Sequence, residues 1–189
     1  MKSLVLSENV VSTKWRVLFG ATLVLTYAAA NAANAADFSA PNMVVISPTI
    51  TTSGQPTEQA LKALSKHGFE AVIFLVPPGI ESNVAGEDGI VKRQGMEFVH
   101  IPIKFGEPTA GHYAAFEAAM KRLSKQKVLV HCEINLRASS MVFLYRAIAL
   151  KDDPNRAYES VAKVWSPRGP WKSFIQEMLT SNAIKFEPH

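Results

Sequence analysis

The sequence predicts an α/β fold with a mainly parallel central sheet flanked by helices. Short apolar segments such as Phe69–Leu75 and Val128–Val130 recur along the chain, and this pattern is typical of strands buried on both faces. Longer segments with helical spacing lie between them. Strands that alternate with helices of this length favour parallel pairing, because each helix returns the chain to the same edge of the sheet.

The first half of the domain is predicted to contain two strands and one helix. Met43–Ser47 is a short β-branched run and indicates the first strand. Thr57 caps a helix that Gly68 ends, since glycine readily adopts the left-handed conformation found at helix ends. Phe69–Leu75 is the second strand. The charged, glycine-bearing stretch 81–95 is predicted to be a loop or a short helix.

The second half alternates in the same way. Phe98–Ile103 is predicted to be a strand, and Thr109 to cap the helix that follows it. Val128–Val130 is the next buried strand, followed by a polar loop and a helix from about Ala138 to Leu150. Two further helices are predicted from a proline in their first turn, one after Asp153 as far as Trp165 and one from Pro170 through Met178.

The N-terminal segment is predicted to be a secretory signal peptide. Three bases precede an apolar run from Val17 to about Ala30, and Ala-Asn-Ala repeats follow as far as Ala35. The alternative is an uncleaved membrane anchor, which reaches spanning length only with its alanine- and asparagine-rich tail. We therefore expect a signal peptide at residues 1–35 and a single domain at 36–189, periplasmic or secreted after cleavage.

Composition and charge narrow the function classes. The chain has 189 residues, 48% hydrophobic and 19% charged, as expected for one globular domain outside the signal segment. Removing residues 1–35 takes away three bases and one acid, so the formal charge falls from +4 to +2. No basic run is left to indicate nucleic-acid binding. We expect contact with a membrane only through the signal segment.

The loop after the fourth predicted strand is the candidate reactive site. Cys132, the only cysteine, follows Val128–Val130 at the carboxyl end of a parallel strand, where α/β sheets bind ligands. Loop N–H groups and a helix dipole converge there on an anion, and thiols in such settings have pKa values of roughly 4–7. Arg137 can hold two phosphoryl oxygens through its planar fork, and Ser139 stands at the helix start. The alternative is a buried, inert thiol.

Four segments carry a family resemblance: Ser53–Pro56, Gly68–Ile73, Phe98–Ile103 and Val128–Cys132. Together they resemble the cysteine-dependent protein tyrosine and dual-specificity phosphatases, in particular the small bacterial domain that is also fused to beta-lactamase-like hydrolases. The resemblance extends from about Ser53 to Leu150. It implies a protein tyrosine phosphatase-like fold that hydrolyses phosphate monoesters through a phosphocysteine intermediate, without metal or organic cofactor.

The resemblance also implies roles for individual residues. Cys132 is the nucleophile and Arg137 the phosphoryl-binding arginine, while Ser139 assists the hydrolysis of the intermediate. Glu107 is the candidate general acid, because the loop after Ile103 has no aspartate, and His112 is the alternative donor. The residues expected to form the substrate-binding loop are His131, Glu133, Ile134, Asn135, Leu136 and Ala138.

The spacing within the loop departs from the phosphatase pattern. Five residues separate cysteine from arginine in that pattern, whereas four separate Cys132 from Arg137. Asn135 stands at the glycine of the loop and tolerates a left-handed backbone. Either the loop keeps its length and the arginine lies one place earlier, leaving Ala138 at the usual arginine position, or the loop is shorter. The four-residue spacing is also that of rhodanese-type sulfurtransferases.

Three functions follow as hypotheses. The favoured one is an exported phosphatase that acts on a phosphorylated protein or small molecule. The second is a rhodanese-like sulfurtransferase in which Cys132 carries a persulfide. The third is a catalytically idle module that binds an anion or partner, supported by the missing aspartate and the displaced Arg137. The natural substrate and the oligomeric state stay open at this point.

Overall fold

The computed structural model describes residues 38–189, which form a five-stranded sheet with helices on both faces. The strands are β1 Val44–Ser47, β2 Ile50–Ser53, β3 Ala71–Phe74, β4 Glu97–His100 and β5 Val128–His131. The helices are α1 Glu58–Lys62, α2 Glu87–Lys92, α3 Ala110–Arg122, α4 Leu136–Leu144, α5 Pro154–Ala162 and α6 Gly169–Ser181. A 3₁₀ turn at Leu64–His67 follows α1, and a π-helical turn at Tyr145–Ala149 extends α4. The predicted signal peptide, residues 1–35, lies outside the described residues.

The sheet has the strand order β1-β2-β5-β3-β4. The β2, β5, β3 and β4 strands run parallel, and β1 pairs antiparallel with β2 at one edge. The predicted α/β class with a mainly parallel sheet is therefore confirmed. Because β5 lies in the centre, the loop that follows it is surrounded by the ends of neighbouring strands.

The sequence did not reveal β2. This strand has one apolar residue, Ile50, followed by the hydroxyl side chains of Thr51, Thr52 and Ser53, which are all buried. A strand predicted from apolar residues alone is missed when tertiary contacts satisfy buried hydroxyls. Here the Thr52 hydroxyl accepts a hydrogen bond from Nδ2 of Asn135 at 3.1 Å.

The predicted strand Phe98–Ile103 is shorter in the structure, where β4 ends at His100. The chain stays beside β3, since the Ile101 amide donates to Phe74 O at 2.9 Å and the Ile103 amide donates to Leu75 O at 3.1 Å. Pro102 between them has no N–H, so the regular ladder stops there.

The helix starts agree with the local signals. The side chains of Thr57, Thr109 and Asp153 each accept a hydrogen bond from a backbone amide in the first turn of their helix. Gly68 ends the first helical segment with φ 75°. The α4 helix differs, because it begins at Leu136, two residues before the predicted start, and no side chain caps it.

Two apolar layers enclose the sheet. The larger core packs α3, α4, α5 and α6 against one face and includes Val130 and Cys132 of the central strand and its loop. The smaller core packs α1 and α2 against the other face and includes Leu129. Among residues 38–189, no helix is both long and apolar enough to cross a membrane.

Candidate active site

Cys132 lies directly after the central strand and is completely buried. Its amide donates to Ser53 O at 3.2 Å, which continues the pairing of β5 with β2 for one more residue. The side chain belongs to the larger apolar core, together with Val130 and Ala138. A substrate can therefore reach the sulfur only if groups above it move aside.

The loop after Cys132 is anchored through its carbonyl groups. The Gln55 amide donates to Glu133 O at 3.0 Å, and Nδ2 of Asn42 donates to Ile134 O at 3.0 Å. A trans peptide points its C=O and N–H in opposite directions, and the described residues contain no cis peptide. The amide of Ile134 therefore faces away from Gln55.

Asn135 joins this loop to α4. It is fully buried with φ 74°, as expected for an asparagine in place of a glycine. Its Nδ2 donates to Asn42 O at 2.5 Å and to the Thr52 hydroxyl at 3.1 Å, so the side chain is turned away from the helix start. The loop between β5 and α4 is therefore residues 132–135, which favours the interpretation of a short loop.

The first turn of α4 has free backbone donors. The amides of Leu136, Arg137 and Ala138 have no acceptor within the helix, and Asn135 supplies no cap. The first amide that bonds back is that of Ser139, which donates to Asn135 O at 3.0 Å. Uncapped amides and the positive end of a helix dipole suit an anion.

Gly54 fits closely against the loop. A Cβ at this position would lie 2.9 Å from Glu133 O and 2.9 Å from Cβ of Pro41, which is too close for either neighbour. Only glycine allows the chain directly after β2 to pass this close to the Cys132 loop. The sequence prediction had used Gly54 only as part of the resemblance.

We expect Gly54→Ala to displace the loop and to lower the free energy of unfolding by about 1–3 kcal/mol. Phosphate binding measures the displacement of the loop, and urea unfolding measures the loss of stability. Gly111→Ala is the matched control, since a Cβ there meets only the Thr109 hydroxyl at an ordinary 3.7 Å in a helix that alanine favours. Equal stability of Gly54→Ala and the wild type would contradict the steric argument.

Arg137 lies in the first turn of α4, not at the far end of a loop. Its Nε donates to Ile103 O at 3.0 Å, and its guanidinium carbon lies 5.2 Å from the centre of the Phe105 ring. Nη1 is 3.8 Å from the carboxylate of Glu133, a loose ion pair. The side chain is buried and connects α4 to the segment after β4. Within residues 38–189, Nη2 has no recorded partner, and it can donate to an incoming oxygen.

Ser139 is buried in the first turn of α4, and its hydroxyl donates to Leu136 O at 3.2 Å. The Ser140 hydroxyl donates to the same carbonyl at 2.8 Å. The helix begins at Leu136, so Ser139 lies within the first turn and not at the N-cap, which is Asn135. Its hydroxyl must leave Leu136 O before it can assist at the sulfur of Cys132.

Glu107 lies on the predicted loop but points into solvent. Its side chain is 68% exposed and its carboxylate is 3.3 Å from Nζ of Lys104. His112 is occupied at the start of α3, where its Nδ1 accepts from the Thr109 amide at 3.2 Å in a capping box. The structure therefore brings Cys132 and Arg137 into one region, whereas Glu107 stands apart on the surface.

Two apolar side chains border this region. Phe105 is 42% exposed on the exposed turn 104–107, and Ile134 is 49% exposed next to the buried Asn135. Nε1 of the buried Trp171 donates to Phe105 O at 2.8 Å and so fixes the segment that carries the exposed ring. A substrate above Arg137 therefore meets apolar as well as polar surface.

Glu87 is a buried acid that the sequence prediction missed. Its Oε1 lies 2.6 Å from Nε2 of His131, and its Oε2 accepts from Nε2 of Gln55 at 2.8 Å. Both side chains of the acid–imidazole pair are buried, and the His131 ring stacks on Phe74 at 4.9 Å. The contact between Oε1 and Nε2 is short but not aligned as a hydrogen bond. A signal was present, because Glu87 precedes the apolar pair Ile90 and Val91 at helical spacing.

Metal binding finds no support in the described part of the chain. Within residues 38–189, no group of three His, Cys, Asp or Glu side chains is placed to hold a metal ion.

A family model and two curated proteins are similar in sequence to this chain. The family model described as DSP-PTPase phosphatase fused to NAD+ kinase matches residues 39–169. Beta-lactamase hydrolase-like proteins from two strains of Xylella fastidiosa, Temecula1 and 9a5c, are each 28% identical over 109 residues. That alignment covers 56% of this chain and 25% of each relative, so the chain spans about a quarter of the length of these relatives.

Solved structures are similar over most of the chain. A phosphatase-like DUF442 protein from Shewanella putrefaciens CN-32 has a TM-score of 0.70 and 28% identity, covering 76% of this chain and 92% of that protein. Tk-PTP in its active form has a TM-score of 0.60 and 21% identity, covering 75% and 95%. The catalytic domain of the yeast (S. cerevisiae) PP-IP phosphatase SIW14 has a TM-score of 0.58 and 13% identity, covering 80% and 99%. The last two show the fold alone.

Proposed function

The chain belongs to the DSP-PTPase family of phosphatase domains, and we propose that it hydrolyses phosphate monoesters through a phosphocysteine intermediate. One observation carries the proposal. Cys132 directly follows the central strand and opens the loop 132–135, which leads into a helix whose first-turn amides are uncapped. That combination suits a phosphoryl group held by backbone donors next to a sulfur nucleophile.

The reaction has two steps. The thiolate of Cys132 attacks phosphorus, an S–P bond forms, and the bond from phosphorus to the ester oxygen breaks. The departing oxygen takes a proton from Glu107 or from water. Water then attacks the phosphocysteine, the S–P bond breaks, and inorganic phosphate leaves with the thiolate restored.

In this proposal the remaining residues bind the phosphoryl group and hold the reacting groups in position. The amides of residues 133–138 and Nη2 of Arg137 bind the phosphoryl oxygens, where negative charge accumulates. Arg137 keeps its bond to Ile103 O, which fixes one side of its fork. Ser139 turns its hydroxyl from Leu136 O toward sulfur in the second step. His131 supports the loop from below.

The general acid is the least well placed group. If Glu107 protonates the leaving oxygen, the exposed turn that carries it must fold toward Cys132 and release Lys104. We expect Glu107→Gln to lower kcat about 10-fold or more on phenyl phosphate, a poor leaving group, and little on p-nitrophenyl phosphate. Steady-state kinetics with both esters measure this difference. An equal effect on the two esters would contradict Glu107 as the general acid.

The test of the proposal uses the purified protein in buffer that contains a chelator. We expect release of p-nitrophenol from p-nitrophenyl phosphate, inhibition by vanadate, and a phosphorylated protein after acid quenching, with the added phosphoryl group on the Cys132 peptide by mass spectrometry. No turnover and no adduct would contradict a phosphatase. Thiocyanate formed from thiosulfate and cyanide would instead favour sulfur transfer, which the four-residue loop also permits.

A binding module is the second candidate. Two observations favour it: Glu107 stands in solvent, and Nε of Arg137 is engaged by Ile103 O. This candidate predicts saturable binding of phosphate without turnover, measured by calorimetry, and the same affinity in Cys132→Ser. We further propose that the domain is exported, which cell fractionation of the tagged full-length chain tests.

A further inference from the structure

A cavity of about 310 Å³ lies at the end of the sheet opposite to Cys132. The strands β2 and β5 begin there, and the C-terminal ends of α3 and of the π-helical turn border it. Val128, which lines the cavity, begins β5, and Cys132 follows the last residue of the same strand. The two residues are therefore about 13 Å apart at roughly 3.3 Å per residue. No residue of the Cys132 loop lines the cavity, so the proposed phosphatase reaction does not use it.

Much of the cavity wall is apolar. Six apolar side chains line it: Ile46, Ile50, Met120, Leu123, Val128 and Leu150. Leu150 is 54% exposed, so the cavity is open to solvent beside it. An apolar cavity of about 150 Å³ holds one benzene molecule, so a cavity twice that size has room for two fused rings.

The charged side chains at the cavity are already paired with each other. Nε and Nη2 of Arg146 donate to Oδ2 of Asp152 at 3.0 and 2.5 Å, and Nη1 of Arg146 donates to Ala157 O at 3.3 Å. The other carboxylate oxygen of Asp152 accepts from Nε of Arg156 at 2.8 Å. A charged ligand would lose its hydration without gaining a free counter-charge from the lining residues. The cavity therefore favours a neutral ligand.

Two polar groups at the cavity have no hydrogen-bond partner within residues 38–189. The Tyr145 side chain is only 4% exposed, and its ring packs edge-on against Phe116, yet its hydroxyl makes no hydrogen bond there. Burial raises the pKa of Tyr145 above its ordinary value, so the hydroxyl keeps its proton near neutral pH. Oε1 of Gln126 is buried and accepts no hydrogen bond. Buried polar groups without partners are costly, so both groups call for one.

The backbone at Tyr145 gives independent support. Tyr145 opens the π-helical turn Tyr145–Ala149, in which the Leu150 amide donates to Tyr145 O at 3.1 Å. π-Helical turns are rare, and they occur frequently at functional sites. This turn supplies Tyr145 and Arg146 to the cavity, and Leu150 follows directly after it.

We propose that this cavity is a second ligand site, which binds a neutral alcohol or phenol whose apolar body has the size of about two fused rings. The apolar body covers the apolar wall, and the ligand hydroxyl donates to Oε1 of Gln126 and accepts from the Tyr145 hydroxyl. Water alone would satisfy these two polar groups but would leave the apolar wall wet. The site is independent of the proposed phosphatase activity, since it shares no residue with the Cys132 loop.

The probe that tests this site is β-naphthol, which is neutral near neutral pH and carries one hydroxyl on two fused rings. It is titrated into the full-length protein in the presence of saturating inorganic phosphate, and ¹H–¹⁵N spectra follow the backbone amides. We expect saturable shifts of the amides of Val128, Tyr145 and Leu150. Shifts confined to the amides of residues 133–138 would place the probe at the Cys132 loop and overturn the proposal, as would the absence of saturable shifts.

Two analogues with the same ring system test the ligand class. Naphthalene lacks the hydroxyl and should bind about 3- to 10-fold more weakly than β-naphthol, because it leaves Tyr145 and Gln126 without partners. The anion β-naphthoate should bind more weakly still, since its charge finds no free cation among the lining residues. Binding of β-naphthoate as tight as that of β-naphthol would overturn the neutral class.

Tyr145→Phe removes the hydroxyl and keeps the ring against Phe116. We expect it to weaken β-naphthol binding about 3- to 10-fold and to leave naphthalene binding within about twofold of the wild type. Tyr113→Phe is the matched control, because Tyr113 is also a buried tyrosine whose hydroxyl lacks a partner in the described part of the chain, but it does not line the cavity. It should leave both affinities unchanged. Equal β-naphthol affinity of Tyr145→Phe and the wild type would contradict the proposed contact.

Ile46→Trp fills the cavity from the edge strand β1 and should weaken β-naphthol binding at least about 10-fold. Val45→Trp is its control, because neighbouring residues of a strand point to opposite faces and Val45 is 66% exposed outside the cavity. It should leave binding unchanged. Undiminished binding by a folded Ile46→Trp would overturn the proposal. If Ile46→Trp does not fold, the comparison of Tyr145→Phe with Tyr113→Phe decides the question.

Discussion

Replacing Cys132 with serine is expected to abolish the hydrolysis of aryl phosphates, with kcat/KM lower by on the order of 10⁴-fold or more. A serine hydroxyl is far less acidic than a thiol, so the same loop donors do not ionise it near neutral pH. The side chain is slightly smaller and stays buried, so the fold should persist. Assays with p-nitrophenyl phosphate, accompanied by thermal unfolding, measure both properties.

The Cys132→Ser variant also tests whether phosphate binding depends on the sulfur. The backbone amides of residues 133–138 and the Arg137 side chain remain in place, so Cys132→Ser should bind inorganic phosphate with an affinity close to that of the wild type. Val142→Ala is the control, because it removes apolar volume from the same core without touching the loop. It should lose stability by about 1–2 kcal/mol and keep its kcat/KM. Undiminished hydrolysis by Cys132→Ser would reject the phosphocysteine mechanism.

Replacing Arg137 with alanine is expected to lower kcat/KM by about 10²–10⁴-fold, because the phosphoryl oxygens lose their cationic donor in the transition state. The variant should also unfold more easily, by about 1–3 kcal/mol. Ile103 O loses its hydrogen-bond donor, and the Phe105 ring loses the cation above it. The two losses are measured by kinetics and by urea unfolding.

Arg137→Lys separates charge from shape. Lysine keeps the charge but has no planar fork, so it cannot hold Ile103 O and a phosphoryl oxygen together. We expect it to recover little of the lost activity. Arg146→Lys is the matched control, since Arg146 follows on the same helical segment and pairs with Asp152, away from the loop. A large loss in Arg146→Lys, or none in Arg137→Ala, would contradict this role.

Local signals explain why much of the fold could be predicted. The caps Thr57, Thr109 and Asp153 and the glycine at position 68 act within one helical turn, so sequence neighbours decide them. The strands β3 and β5 are buried in the structure, and their largely apolar sequences already predict this burial. By contrast, β2 buries three hydroxyl side chains, and the Thr52 hydroxyl accepts a hydrogen bond from the distant Asn135, a partner that no local pattern shows.

The site divides in the same way. The order of Cys132, Arg137 and Ser139 along the chain indicated a strand, an anion-binding loop and a helix. The sequence did not reveal that α4 begins at Leu136, because the start depends on the left-handed Asn135, whose side chain is held by Asn42 from 93 positions away. That early start places Arg137 in the first turn and sends its side chain to Ile103.

The sequence by itself determined the alternation of strands and helices, the helix boundaries set by caps, and the position of the only cysteine at the end of a strand. The tertiary structure decided the partners: Glu87 against His131, Gly54 against Glu133, and Ile103 against Arg137. The physical reason is the distance along the chain over which each interaction acts. Capping and periodicity act over a few residues, whereas buried charges and hydroxyls are satisfied by groups that only the folded chain brings together.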